Sequence, residues 1–167
     1  MTKMYIANII VDALKFIFPA YCTNAVPVIT GGGRPLDFNK KFFDGRPIFG
    51  KNKTYRGFFS GLLVGTFTGF VESLFFNYPP LFGILLSLGA LFGDLAGAFL
   101  KRRLGLAPGE LLPIIDQIDF VVGAIVFSLP MQIITITLAI AVLIITPPIH
   151  LMTNFAAYKL GLKSNPW

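Results

Sequence analysis

Between Gly57 and Leu100 the chain carries two long apolar stretches, separated by Tyr78-Pro79-Pro80. Glu72 is the one charged residue in the first stretch and Asp94 the one in the second. Apolar runs of about 18 residues or more match the thickness of a bilayer core when helical. The rest of the chain agrees, with 54% hydrophobic residues, 13% charged residues and a mean hydropathy of +0.73. Soluble domains carry about 25% charged residues. The expected fold is all-α, a polytopic membrane protein in which residues 1–167 form a single integral-membrane domain with no separate soluble module.

Prolines, glycines and charges set the expected boundaries. A first span runs from about Tyr5 to Ile29, with Pro19 and Pro27 expected to bend it or end it. Asp12 and Lys15 interrupt its apolar core and no small-residue cleavage site follows convincingly, so it reads as a retained span. At i,i+3 spacing those two charges share a face and form an ion pair, with Glu72 as a candidate third member. Residues 30–56 are rich in glycine and proline and read as a loop. That loop sets Arg34, Lys40, Lys41, Arg46, Lys51, Lys53 and Arg56 against Asp37 and Asp44.

The second span covers Gly57 to Asn77, and Gly57, Gly61, Gly65 and Gly69 line one face of it. The third ends near Leu100 and repeats the spacing with Gly89, Gly93 and Gly97. Such small-residue seams let membrane helices approach closely, and the two spans are expected to pair partly through them. A basic loop over residues 101–112 leads to a fourth span, about Pro113 to Leu129, with Pro113 in its first turn. The fifth begins near Met131 and passes Ile145, with Pro147-Pro148 expected to kink or break it. Five transmembrane helices put the termini on opposite faces. The two loops and the C-terminal tail then hold all fourteen Lys and Arg residues except Lys3 and Lys15. The positive-inside rule makes that face cytoplasmic, with the N-terminus outside and the C-terminus inside.

This topology brings Asp94, Asp116 and Asp119 to one level. An aspartate inside a span costs about 2.5–3.5 kcal/mol on insertion scales, so three of them need partners. Nearby Lys and Arg side chains are one solution. The other is Mg²⁺ or Mn²⁺, hard cations that take carboxylate and phosphate oxygens together. Lys53, Arg56, Lys101, Arg102 and Arg103 surround the same level, and carboxylates ringed by cations suit phosphoryl or nucleotidyl transfer. One cysteine, Cys22, and one histidine, His150, exclude a disulfide framework, a cysteine zinc site and a histidine metal cluster. No Gly-x-x-x-x-Gly-Lys-Ser/Thr loop is present, which excludes a Walker ATPase. With no credible general base, an already ionised phosphate monoester fits as nucleophile better than a free alcohol.

The strings PAYCTNAVP, GGGRPLDF, DGRPIFGKNKTYRGFFSG and GDLAGAFLKRRLGLAPGELLPIIDQIDFVVGA resemble the archaeal CDP-archaeol synthase family, itself related to CDP-diacylglycerol synthases. The likeness covers about residues 19 to 124. It is most specific at Lys53-Thr54-Tyr55-Arg56-Gly57 and in the run from Lys101 to Asp119. The chain departs from the family pattern at Asn39, where a glycine is expected after Asp-Phe, and at Lys51. The resemblance implies a Mg-dependent cytidylyltransferase of phospholipid biosynthesis in the cell membrane. Its substrates would be CTP and digeranylgeranylglyceryl phosphate, an unsaturated isoprenoid ether-lipid phosphate, and its products CDP-archaeol and pyrophosphate.

On that resemblance Asp94, Asp116 and Asp119 hold the metal, and Lys53, Arg56, Lys101 and Arg102 neutralise phosphates. Thr54 and Asn24 would be hydrogen-bond partners. CTP arrives from the cytoplasm while the lipid tails stay in the bilayer. Nucleic acid is not an expected partner, and the sequence leaves a homodimer open. Two alternatives use membrane carboxylates as well. A CDP-alcohol phosphotransferase would need an Asp-Gly-x-x-Ala-Arg element, which Asp44-Gly45-Arg46 does not supply. A small ion or lipid transporter would leave the Lys-Thr-Tyr-Arg-Gly element unexplained.

Overall fold

The computed structural model describes the backbone of residues 2–166 and the side chains of residues 4–166. Five α-helices follow in order: α1 (Thr2–Thr30), α2 (Tyr55–Phe76), α3 (Phe82–Arg103), α4 (Ile115–Ser128) and α5 (Ile136–Lys159). A single 3-10 turn, Leu129–Met131, follows α4. Four of the five helices, all but α4, are long and apolar enough to cross a membrane. Helix α4 has 14 residues, or about 21 Å, against a hydrocarbon core of about 30 Å. Pro113, expected in its first turn, lies outside it. The helix begins at Ile115, after Ile114 takes a positive φ of 68° that no helix continues.

Of the two outcomes expected at the prolines, bending or ending, neither helix ends at them. Pro19 and Pro27 sit within α1, and Pro147 and Pro148 within α5. Prolines inside helices are tolerated in many membrane proteins. Pro27 cannot donate to the Thr23 carbonyl, and that carbonyl lies against Gly61 of α2, where a Cβ would come within 2.7 Å of it. Just before the α5 prolines, Thr146 donates to the Val142 carbonyl at 2.7 Å and meets the Tyr21 hydroxyl of α1 at 2.9 Å.

The core is drawn from α1, α3, α4 and α5. Phe16, Ile17, Phe82, Leu86, Phe120, Val121 and Val142 are almost wholly buried. Helix α2 contributes differently, since its buried residues are Gly57, Gly61, Gly65 and Gly69. Its other face presents Phe59, Leu63, Phe67, Phe70 and Leu74 outward, the apolar exterior expected of a helix solvated by lipid. The two glycine seams do not chiefly face one another. The α2 seam packs on Pro27, Thr23 and Pro19 of α1 and on Leu91, Ser87 and Gly83 of α3. The α3 seam packs on Gly123 and Asp119 of α4.

The α1–α2 loop, the α3–α4 loop and the tail meet at one end of the bundle. Asp44 accepts from Arg103 at 2.8 Å, and Asn165 donates to the Gly109 carbonyl at 3.3 Å. Towards the other end, Asp12 and Lys15 pair at 3.9 Å. Glu72 does not join them, and its Oε2 has no hydrogen-bond partner among the described residues. The Lys3 side chain, expected at the far face, lies outside the described residues.

Candidate active site at the basic end of the bundle

The loop before α2 is ordered by one carboxylate. Asp37 is 4% exposed. Its Oδ1 accepts from the Asn39 N–H at 3.0 Å, and its Oδ2 accepts from the Phe49 and Gly50 N–H groups at 3.0 and 2.8 Å. Asn39, the departure from glycine, has a φ of 58°, a left-handed conformation that asparagine tolerates better than most residues. The loop is closed by Leu36 N–H to the Lys53 carbonyl at 2.8 Å and Tyr55 N–H to the Arg34 carbonyl at 3.1 Å. Lys53 therefore leaves a pinned loop end. Thr54, expected near substrate, caps α2 and accepts from the Gly57 N–H at 3.2 Å.

From that end Lys53 reaches across to α3, with its Nζ 2.6 Å from both carboxylate oxygens of Asp94. Asp119 and Asp116 act on the same ammonium. Burial alone would pull Lys53 down, but Asp94, and after it Asp119 and Asp116, hold it above the ordinary lysine value. Lys101, in the last turn of α3, places Nζ 2.8 Å from Oδ2 of Asp116, which also accepts the Leu112 N–H at 2.9 Å. Asp119 lies one turn further into α4. Its carboxylate occupies the space a Cβ at Gly97 would fill, and its carbonyl lies against Gly93. The α3 seam thus makes room for a carboxylate.

The Lys101-Arg102-Arg103 cluster divides into three tasks. Arg103 donates to Asp44 and to the Pro47 carbonyl and lies 4.8 Å from the centres of the Phe42 and Phe99 rings. Arg46 answers by donating to the Arg103 carbonyl, so the two arginines fasten the 42–47 loop onto the end of α3. Between them Arg102 is 4% exposed. Its Nη2 donates to the Ala107 carbonyl at 3.3 Å, while Nε and Nη1 have no partner among the described residues. It lines a cavity of about 220 Å³ together with Arg46, Pro47, Gly105, Leu106, Ala107 and Pro108. A buried guanidinium with open donors is costly unless an anion completes it.

Of the other residues expected here, Arg56 is exposed on the first turn of α2 and joins none of the four ion pairs among the described residues. Asn24 is half-buried on α1. No three His, Cys, Asp or Glu side chains among the described residues converge as a metal group. Instead, Asp94 pairs with Lys53 and Asp116 with Lys101.

Carboxylates that attract a cation, beside a guanidinium that lacks an anion, are complementary to a phosphate ester accompanied by positive charge. At the end of an apolar helical bundle, they define the class of membrane-embedded phosphate-handling proteins. A family model described as CDP-archaeol synthase matches residues 6–167, and the chain belongs to that family. It is 44% identical to the CDP-archaeol synthase of Methanococcus aeolicus, with 98% of this chain and 100% of that one covered. With the Pyrococcus furiosus protein of the same name it shares 46% identity, over 95% of this chain and 98% of that one. A solved structure described as an intramembrane enzyme for archaeal membrane lipid biosynthesis superposes with a TM-score of 0.80 and 36% identity. The superposition covers 87% of this chain and 94% of that one.

Proposed function

We infer that the chain makes CDP-archaeol from CTP and the unsaturated archaeal ether-lipid phosphate. An oxygen of the lipid phosphate forms a bond to the α-phosphorus of CTP. The bond from that phosphorus to the bridging oxygen breaks, and pyrophosphate leaves with the electron pair. Family membership carries the activity. The observation that carries the site is the pair of ion pairs Lys53–Asp94 and Lys101–Asp116, with the open Arg102 cavity at the same end. Neither alternative retains support, since the matched family is neither a transporter nor a CDP-alcohol phosphotransferase.

Asp94, Asp116 and Asp119 are the residues that would hold Mg²⁺ or Mn²⁺. They are hard oxygen donors at one end of the bundle, two of them paired with lysines, with no soft ligand among them. Such an ion, when bound, offsets charge on the transferring phosphates. Lys53 and Lys101, now bound to Asp94 and Asp116, become available to phosphate oxygens when other positive charge faces those carboxylates. Arg102 receives an anionic group in its cavity, and Arg56 adds positive charge at the mouth. The Thr54 hydroxyl orders the turn that presents Lys53. Asn24, half-buried on α1, is a candidate hydrogen-bond partner for substrate.

The basic end faces the cytoplasm, where CTP is available, because it carries the Lys and Arg of both loops and the tail. The chain crosses five times. Helix α5, 24 residues long, ends beside the α3–α4 loop through the Asn165–Gly109 bond. It must therefore begin at the far face, and α4 with its flanking turns carries the chain there.

Purified protein in detergent, given CTP, Mg²⁺ and digeranylgeranylglyceryl phosphate, is expected to release pyrophosphate and form the CDP-lipid. Chelation should stop turnover, and Mg²⁺ or Mn²⁺ should restore it. A folded protein that releases no pyrophosphate with any lipid phosphate would overturn this reading.

A further inference from the structure

The walls of the Arg102 cavity come from the loop side of the bundle, with Arg46 and Pro47 before α2 and residues 105–108 after α3. Two glycines in left-handed conformation leave room there. At Gly50, with a φ of +95°, a Cβ would lie 3.3 Å from Cγ of Pro108 and 3.7 Å from Nη1 of Arg102. At Gly105, with a φ of +82°, it would lie 3.5 Å from Nη2 of Arg46. Arg46 is held at the cavity by donating to the Arg102 and Arg103 carbonyls at the end of α3. Two guanidinium groups thus line one space of about 220 Å³, and no carboxylate of the described residues lines it. One water takes up about 30 Å³ of the liquid, so the space suits a ligand of several heavy atoms.

Arg102 is 4% exposed, and its Nε and Nη1 have no partner among the described residues. Phosphate oxygens are the acceptors that suit an arginine in this state. A second guanidinium at the same space favours a ligand with more than one negative charge. Position then selects among the phosphates of the reaction. Arg102 lies in the last turn of α3, about 12 Å along the helix axis from Asp94 and towards the loops. Asp116, one turn nearer the loops than Asp119, pairs with Lys101. The lipid phosphate is tied to chains that stay in the bilayer, whereas the nucleotide enters from the loops. A triphosphate whose α-phosphorus stands by the carboxylates therefore extends its other two phosphates towards Arg102.

We propose that the cavity between Arg46 and Arg102 seats the two terminal phosphates of the nucleotide and holds them as pyrophosphate when the bond to the α-phosphorus breaks. This rests on the cytidylyltransferase reading and adds to it the means of selecting a triphosphate. The electron pair of the broken bond stays on the bridging oxygen, so the charge that develops on the leaving group falls beside two guanidinium groups. CMP lacks both phosphates and leaves the cavity unfilled.

Inorganic pyrophosphate is the probe, titrated calorimetrically into the purified protein in detergent with a chelator present. Wild type is expected to bind it without a divalent ion, and to bind CTP at least about tenfold more tightly than CMP. Arg102→Met should weaken pyrophosphate binding about 10- to 100-fold, and Arg46→Met should weaken it less. In turnover, Arg102→Met should raise KM for CTP by a similar factor and leave KM for the lipid phosphate unchanged. Arg34→Met is the control, since that side chain lies over the Phe38 ring at 4.5 Å. A loss as large there as in Arg102→Met would assign the effect to general charge and overturn the proposal. So would a folded Arg102→Met with wild-type affinity for pyrophosphate, or one whose raised KM is for the lipid phosphate. Should Arg102→Met not fold, Arg102→Lys takes its place. Wild type alone also decides: protein that turns over yet binds no pyrophosphate under chelation, or binds CMP as tightly as CTP, overturns the cavity assignment while the reaction itself stands.

Discussion

Helices α2 and α3 carry the same spacing of glycines, yet the two seams meet different things. Along α2, Gly61 and Gly65 admit backbone and hydroxyl groups of proline-containing α1, and Gly69 admits the backbone of Gly83. Along α3, Gly89 meets the backbone of Gly123, Gly93 meets the Asp119 carbonyl, and Gly97 meets the Asp119 carboxylate. One seam joins helices. The other joins helices and, at its last glycine, sets a charged group where the loops can reach it. On the proposed function close packing would serve chemistry, because a carboxylate held between two helices is restricted in where it can move.

The largest effect should come from removing that charge without changing its shape. Asp119→Asn and Asp116→Asn are each expected to lower kcat by about a thousandfold or more, with melting temperatures close to wild type. Two folded variants with wild-type rates would remove the carboxylates from the reaction and reduce the α3 seam to packing alone.

The next test moves the carboxylate instead of neutralising it. Gly97→Ala adds a methyl where the Asp119 carboxylate lies, and a displacement of about 1 Å at a reacting centre costs about a hundredfold in rate. Gly65→Ala is the matched change on α2. Its methyl would overlap the Thr23 hydroxyl and lie 2.5 Å from that of Ser87. Overpacking of this kind costs about 1–3 kcal/mol of stability, with the rate per folded molecule unchanged. The reverse pattern, stability lost at Gly97 and rate lost at Gly65, would show that the two seams had been assigned the wrong way round.

Sequence alone made the five helices, the irregular basic loop and the aspartate–lysine neighbourhood legible. Each follows from a local signal, namely apolar length, glycine with proline, or charge inside an apolar run. The partner of each seam was not legible. Spacing at every fourth residue marks one face of a helix and says nothing of which helix covers it. Nor could the Lys101-Arg102-Arg103 cluster be divided, although consecutive helical side chains diverge by about 100° and so rarely share one task. The start of α4 depends on Ile114 at a φ of 68°, which no propensity favours. The continuity of α1 and α5 through four prolines runs against what proline signals locally. The place of Arg46 was hidden because it reaches the Arg102 cavity through a contact with the end of α3 that lies far apart in sequence.

The loop half of the site offers the smallest effect and the sharpest contrast with the seams, because a titrating group holds it together. Burial pushes the Asp37 carboxyl up, but the N–H groups of Gly50, Phe49 and Asn39 more than offset this and hold it below the ordinary carboxylate value. Folded Asp37 therefore binds fewer protons than unfolded Asp37. Its stabilisation is fully present above the unfolded value, about 4, and is lost as pH falls through the lower folded value. Asp37→Asn replaces one accepting oxygen with a donor facing N–H groups, at a cost of about 1–3 kcal/mol. At pH 7, hydrogen exchange at Phe49 and Gly50 should accelerate in the variant, while amides along the α3 seam exchange as in wild type. Below about pH 4 the wild-type loop should approach the variant's rate as Asp37 is protonated. A difference between the two proteins that stays constant from neutral pH to well below the carboxylate range would show that Asp37 does not hold the loop by its charge. Both halves of the site would then be fixed by packing alone.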